Sequence, residues 1–153
     1  MDETPAAYVL RVAREKAEAI AARHPERVVV GADTEVVVDG AVLGKPADGH
    51  DAARMLHLLS GRSHEVLTGI AVVASGQTHA AVERTVVWMR PLTTGDISAY
   101  IAGGEPTGKA GAYAIQGGAA RFIDRIEGRH DNVVGLPVPL LRRLLEEAAA
   151  CRP

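Results

Sequence analysis

Two β-branched triplets, Val28–Val30 and Val36–Val38, followed by the dipeptide Asp39-Gly40, constrain this chain more than any other stretch. Branching at Cβ favours an extended backbone, and Asp-Gly between apolar runs is a strong hairpin signal. The segment VVVGADTEVVVDGAVLGKP, residues 28–46, therefore predicts a strand that turns at Asp39-Gly40 and returns. This reading delivers Asp33 to a strand end and swings Lys45 back along the same ribbon. A carboxylate and an ammonium at a strand edge can hold a metal-bound polyphosphate. Equally, Asp33 can cap a turn while Lys45 is solvated, and the segment alone leaves both open.

The remaining elements follow from periodicity and punctuation. Pro5 opens a helix over residues 6–23, in which Val9, Val12, Ala13, Ala17 and Ile20 recur at three- and four-residue steps. Lys16 shares that apolar face, so it either snorkels to water or meets an anionic partner. A second helix spans 48–59, with Asp48 or Asp51 near its start and Gly61 past its end. Strands are expected at 65–73 and 81–89, separated by Ser75-Gly76-Gln77. Thr93 or Thr94 caps a short helix through Asp96 to Ala102, and GGEPTGKAG (103–111) reads as a loop. Residues 119–126 alternate weakly and predict a strand ending at Gly128. A last helix over 137–150 rests on Leu140, Leu141, Leu144 and Leu145. Helices and strands intermix, which gives an α/β or α+β class with a mixed sheet, and the hairpins argue against a purely parallel one.

Composition narrows the function. At 153 residues the chain is expected to form one domain with its own core. A net charge of −2 supplies no basic field for nucleic acid, and 3% aromatic residues supply no base-stacking platform. An anionic ligand must then be small and met by a local cluster. No apolar run approaches the ~18 residues of a membrane span, Met1 opens onto DETP, and Cys151 has no partner cysteine. The expectation is an unexported, cytoplasmic chain that binds neither nucleic acid nor membrane.

Several apparent motifs do not carry their usual chemistry. Gly103 to Ala110 (GGEPTGKA) approaches the phosphate-loop pattern, but Ala110 replaces the metal-binding hydroxyl and a helix precedes it where a strand is required. Lys109 in this loop either meets phosphate or is a surface lysine. The six histidines form no HxH or HExxH pair, so a hard Mg²⁺ or Mn²⁺ bound by oxygen suits the chain better than zinc. No GxSxG is present to support an esterase nucleophile. In KAGAYAIQGG (109–118) the small residues allow close backbone approach. Gln116 offers a donor and an acceptor suited to a base edge, or else faces solvent.

The segments LRVAREKA (10–17), VVVGADTEVVVDGAVLGKP (28–46), ARMLHLLSGRSHEVLTGIAVV (53–73), GEPTGKAGAYAIQG (104–117) and NVVGLP (132–137) occur in one order. Together they resemble the Maf-like family of nucleoside triphosphate pyrophosphatases, from about Tyr8 to the last helix. The resemblance implies an elongated mixed β-sheet flanked by helices, with a cleft between two lobes as in inosine-triphosphate pyrophosphatases. It also implies cleavage of a nucleoside triphosphate at the α–β bond with a divalent cation, Mg²⁺ or Mn²⁺, and often a homodimer. By motif, Asp33 resembles the catalytic carboxylate, which acts either on water directly or through bound metal. Lys16 and Lys45 resemble phosphate-site lysines, which would offset charge on the leaving pyrophosphate. Thr34 and Gln116 resemble positions that help to choose the base, and GADT with AYAIQG is more similar to the branch preferring dTTP and UTP than to the 7-methyl-GTP branch.

One departure from the family bears on activity. Its usual opening strand and SxSPRR-type loop, with two triphosphate-binding arginines, has no counterpart before Asp2. A further acidic position has only Glu3 as a candidate, and Glu3 fits a later ETP segment equally well. The expectation is a domain truncated at its N-terminus relative to the family. The alternatives to an active pyrophosphatase are a catalytically weak or inactive nucleotide-binding regulator of cell division, and an inert fragment.

Overall fold

A computed structural model describes residues 3–151. Helix α1 (Pro5–Ala21) starts where Pro5 suits the first turn and the Thr4 hydroxyl accepts from the Ala7 N–H at 3.2 Å. Its buried stripe is Val9, Ala13 and Ala17, one residue per turn. The stripe is small because the helix lies almost on the sheet backbone. A Cβ on Gly31 would stand 2.3 Å from the Ala13 carbonyl oxygen, and one on Gly69 would stand 2.3 Å from the Val9 oxygen. Only glycine fits at either place.

The sheet contains β1 (Val29–Val38), β2 (Ala41–Val42), β3 (Ser63–Ala74), β4 (Gln77–Met89) and β5 (Ile123–Glu127) in the order β2-β1-β3-β4-β5. The α/β class stands, but the sheet expected to be mixed is antiparallel in all four pairings among the described residues, because hairpin turns reverse the chain between β1 and β2 and between β3 and β4. Two-residue turns set the first and third of these in register. Asp39 and Gly40 have φ of 50° and 78°, while Ser75 and Gly76 have 50° and 75°, the paired left-handed turn that matches strand twist. Pairing that continues to the Ser75-Gly76 turn extends β3 and β4 beyond the expected 65–73 and 81–89. β2 covers only Val37 and Val38, so β1 from Val29 to Glu35 has an unpaired edge among the described residues.

The second face of the sheet carries α2 (Gly49–Leu59), α3 (Thr94–Ala102) and α5 (Val138–Ala150). Asp48 caps α2, and Thr93 with Asp96 closes a capping box on α3. Ala52, Met55, Leu56 and Leu59 of α2 meet Val36, Val66 and Phe122, while Leu140 and Leu144 of α5 meet Ile70 and Val72. Leu145 is one-third exposed and outside that contact. Two segments differ from expectation. Residues 118–122 form a tight helical turn before β5, because a turn buries both Ala119 and Phe122, three apart, where strand alternation would bury only one. A five-residue helix, α4 (His130–Val134), is too short to leave a periodic signal. Among the described residues, no helix is long and apolar enough to cross a membrane.

Candidate active site

Alternation along β1 divides the site between two faces. Gly31, Asp33, Glu35 and Val37 face α1, whereas Ala32, Thr34, Val36 and Val38 face the α2 and α5 side. Asp33 does not end a strand: it lies mid-strand opposite Gly69. The Gly31-Ala32 sequence that suggests a break is continuous extended backbone, and its glycine serves the close approach of α1.

On the α1 face, Lys16 Nζ donates to Asp33 Oδ1 at 2.7 Å and to the Ala32 carbonyl at 3.2 Å. Lys16 thus reaches an anionic partner, and the Asp33 side chain is only 12% exposed. Glu35, two residues on, was not anticipated. Burial pushes its carboxyl above the usual carboxylate range and the Asp33 charge adds to this, while Lys45 and Lys16 oppose both. A charged residue interrupting a valine run at i+2 from Asp33 is the signal that would have found it. Glu3, the other acidic candidate, is tied to the Arg11 guanidinium at 2.8 and 2.9 Å.

Asp33 Oδ2 and Glu35 Oε2 are shielded from solvent and accept no hydrogen bond. As hard oxygen donors on one strand face they suit a Mg²⁺- or Mn²⁺-type cation whose remaining ligands are phosphate and water. Among the described residues, no group of three His, Cys, Asp or Glu side chains would hold a metal by itself.

On the other face, Thr34, Lys45, Lys109, Tyr113, Gln116 and Gly135 line a cavity of about 240 Å³. The Gly111 N–H donates to the Gly44 carbonyl at 2.9 Å and so ties the lysine-bearing loops together. Lys109 follows α3 and a run of turns and precedes a single helical turn, which is not the strand–loop–helix setting of a phosphate loop. Lys45 serves both faces, since it lines the cavity while its charge acts on Glu35. Of the six residues singled out by sequence, Lys16 and Asp33 form a pair, Thr34, Lys109 and Gln116 share the cavity, and Lys45 lies between the two groups.

Several supporting residues lie in or near the quoted segments without having been singled out. The Glu105 carboxylate accepts the Gly118 N–H at 2.9 and 3.1 Å, an interaction that holds its pKa below the usual carboxylate range. Nearby, the Tyr100 hydroxyl oxygen receives the Ala114 N–H at 3.0 Å. Glu105 and Tyr100 therefore hold the two ends of the segment bearing Gln116. Behind the cavity, His64 Nε2 and Tyr113 Oη are 2.6 Å apart, and burial lowers the His64 pKa to about 4. Thr34, Thr68 and Asn132 form a buried polar chain that holds α4 against the sheet.

The chain is similar to known proteins over nearly its whole length. The family model for Maf-like protein matches residues 1–148. A dTTP/UTP pyrophosphatase of Acinetobacter baylyi is 48% identical over 147 residues, covering 94% of this chain and 80% of that protein. One from Symbiobacterium thermophilum is 54% identical over 136 residues, covering 89% and 70%. Another from Geobacter sulfurreducens is 55% identical over 139 residues, covering 89% and 72%. With the family model matched over nearly the whole chain, and the REKA, GADT, GKP and AYAIQG residues gathered about one strand, this chain belongs to the Maf-like protein family.

Proposed function

We propose that the protein is a nucleoside triphosphate pyrophosphatase that acts on dTTP and UTP, as its relatives are described. The observation that carries this reading is the arrangement around β1. Lys16 holds Asp33 at 2.7 Å on one face, and the next residue, Thr34, opens the cavity shared with Lys45, Lys109 and Gln116 on the other. A triphosphate crossing the unpaired strand edge would meet the lysines, and its base would enter the cavity.

In the reaction, water attacks the α-phosphorus, the bond from that phosphorus to the α–β bridging oxygen breaks, and pyrophosphate leaves with that oxygen. Asp33, with its second oxygen uncommitted, is placed to take the proton of the attacking water or to fix the cation beside it. Lys16 orients Asp33 through its contact with the other oxygen. Lys45 and Lys109 would offset the charge that grows on the leaving pyrophosphate, where a positioned donor contributes ~3 kcal/mol. A divalent cation bound at the Asp33 and Glu35 oxygens would neutralise phosphate charge. The cytoplasm is the proposed compartment, since it is where nucleoside triphosphates are met, and a homodimer is the proposed assembly.

The test is pyrophosphate release by the purified chain from dTTP, UTP and 7-methyl-GTP, with Mg²⁺ or Mn²⁺. Turnover of dTTP or UTP that disappears in Asp33→Asn, with unchanged circular dichroism, is the expected result. Nucleotide binding without turnover would replace this reading with that of a nucleotide-binding regulator.

A further inference from the structure

The cavity is bounded by a hydrogen-bond chain whose direction is determined. Thr34 Oγ1 lies 2.8 Å from Thr68 Oγ1, which lies 3.1 Å from the main-chain oxygen of Asn132. A carbonyl oxygen only accepts, so the single hydroxyl proton of Thr68 is directed to it. Thr68 must then accept in its other bond, and the proton of Thr34 is directed to Thr68. Both Thr68 and Asn132 have no solvent exposure, so no surface water competes for these protons. Asn132 is itself immobilised, because its Nδ2 donates to the Val66 oxygen and to Thr85 Oγ1, both at 3.1 Å. Thr85 in turn donates to the Arg129 oxygen at 2.9 Å. Each run of donors in the network terminates on a main-chain carbonyl.

Toward the cavity, Thr34 is thus left with lone pairs alone. Over it lies Gly135, at φ 120°, where an added Cβ would stand 3.5 Å from Thr34 Oγ1, in van der Waals contact. We infer that Thr68 and Asn132 fix Thr34 as a hydrogen-bond acceptor and so select pyrimidines that carry an N–H at N3, uracil and thymine, against cytosine. This rests on the reading that a nucleotide base occupies this cavity. Uracil and thymine present N3–H as a donor, whereas cytosine presents a lone pair there. Gln116 can turn its amide to suit either edge, so it does not make this distinction. Thr68 touches no base and acts through Thr34 as a positioning residue.

The test is titration calorimetry of the full chain with UMP and CMP, alongside Thr68→Val, Thr68→Ser and Thr34→Val. Valine matches threonine in shape, and the Asn132 oxygen keeps its bond from the Gly135 N–H at 3.1 Å, so Thr68→Val leaves no orphaned carbonyl. The wild-type chain is expected to favour UMP by about 10-fold or more, the worth of one well-made hydrogen bond. Thr68→Val frees the Thr34 proton to be donated to cytosine, and the ratio should fall to within about 3-fold. Thr68→Ser should keep the preference. Thr34→Val, which removes the acceptor, should lose it and provides the same test if Thr68→Val does not fold. An unchanged ratio in both valine variants, a wild-type chain without preference, or one that binds neither nucleotide would overturn the inference. A chain that prefers UMP but releases no pyrophosphate would uphold it and overturn the proposed activity.

Discussion

At the scale of single residues, the site depends on where charge is allowed to persist. Lys16 lies against one oxygen of Asp33, while Glu35 beside it is half-buried and pushed toward the neutral form. His64 shows the opposite balance. Burial disfavours its protonated form and lowers its pKa from 6.5 to about 4, so the unfolded chain binds the proton more tightly than the folded one. Stability from this group is complete above the unfolded pKa of 6.5 and is lost as pH falls toward 4, by ~3 kcal/mol in all. Urea midpoints measured from pH 7 to pH 4 should therefore drop less in His64→Gln than in the parent chain. Parallel slopes would refute the buried neutral imidazole. Asp33, Lys16 and Lys45 were legible in the sequence because short motifs hold them. Glu35 and Thr68 were not, because a polar residue in a valine run acquires its meaning only from the face it occupies.

At the scale of elements, the loop of 103–111 and the turn at 117–118 act as one wall. Glu105 binds the Gly118 N–H directly, Tyr100 holds the Ala114 N–H, and a Cβ on Gly117 would come 2.1 Å from Glu105 Oε1. Glu105→Ala and Gly117→Ala remove the same grip by different routes. Both should raise KM for dTTP by ~10-fold with kcat within a few-fold, since they move Gln116 and leave Asp33 in place. Glu105→Gln, which retains one acceptor, should lie between them and the parent. A loss of kcat with KM unchanged would instead place Glu105 in the chemistry. The helix caps at Asp48 and Thr93 and the two hairpin turns are visible in the sequence, because each is decided within four residues. The turn of 118–122 and helix α4 are not, because Phe122 and Asn132 adopt their backbone states to fill distant space.

Across the whole molecule, the Lys16–Asp33 contact depends on how closely α1 lies on the sheet. Lys16 is on the helix and Asp33 on the strand, and the contact between them passes through Gly31 and Gly69, where no side chain fits. Gly69→Ala should lift α1 and destabilise the fold by about 2 kcal/mol, as overpacking does. It should also reduce turnover more than Leu144→Ala, a core truncation on the opposite face that leaves the Lys16–Asp33 pair in place. Urea denaturation with pyrophosphate release on both variants checks this, and equal activities would show that the helix position does not matter.

The sequence by itself determined the long strands, the hairpin turns and most helix limits. Those properties follow from Cβ branching, left-handed turn residues and capping side chains, whose energies act over a few neighbouring residues. Only the tertiary structure decided that β1 is unbroken through Asp33, that its two faces carry different parts of the site, and that a hydroxyl proton behind Thr34 has one direction. These outcomes depend on pairing register and on burial by elements up to about a hundred residues away in sequence, as when Asn132 of α4 bonds the carbonyl of Val66 on β3.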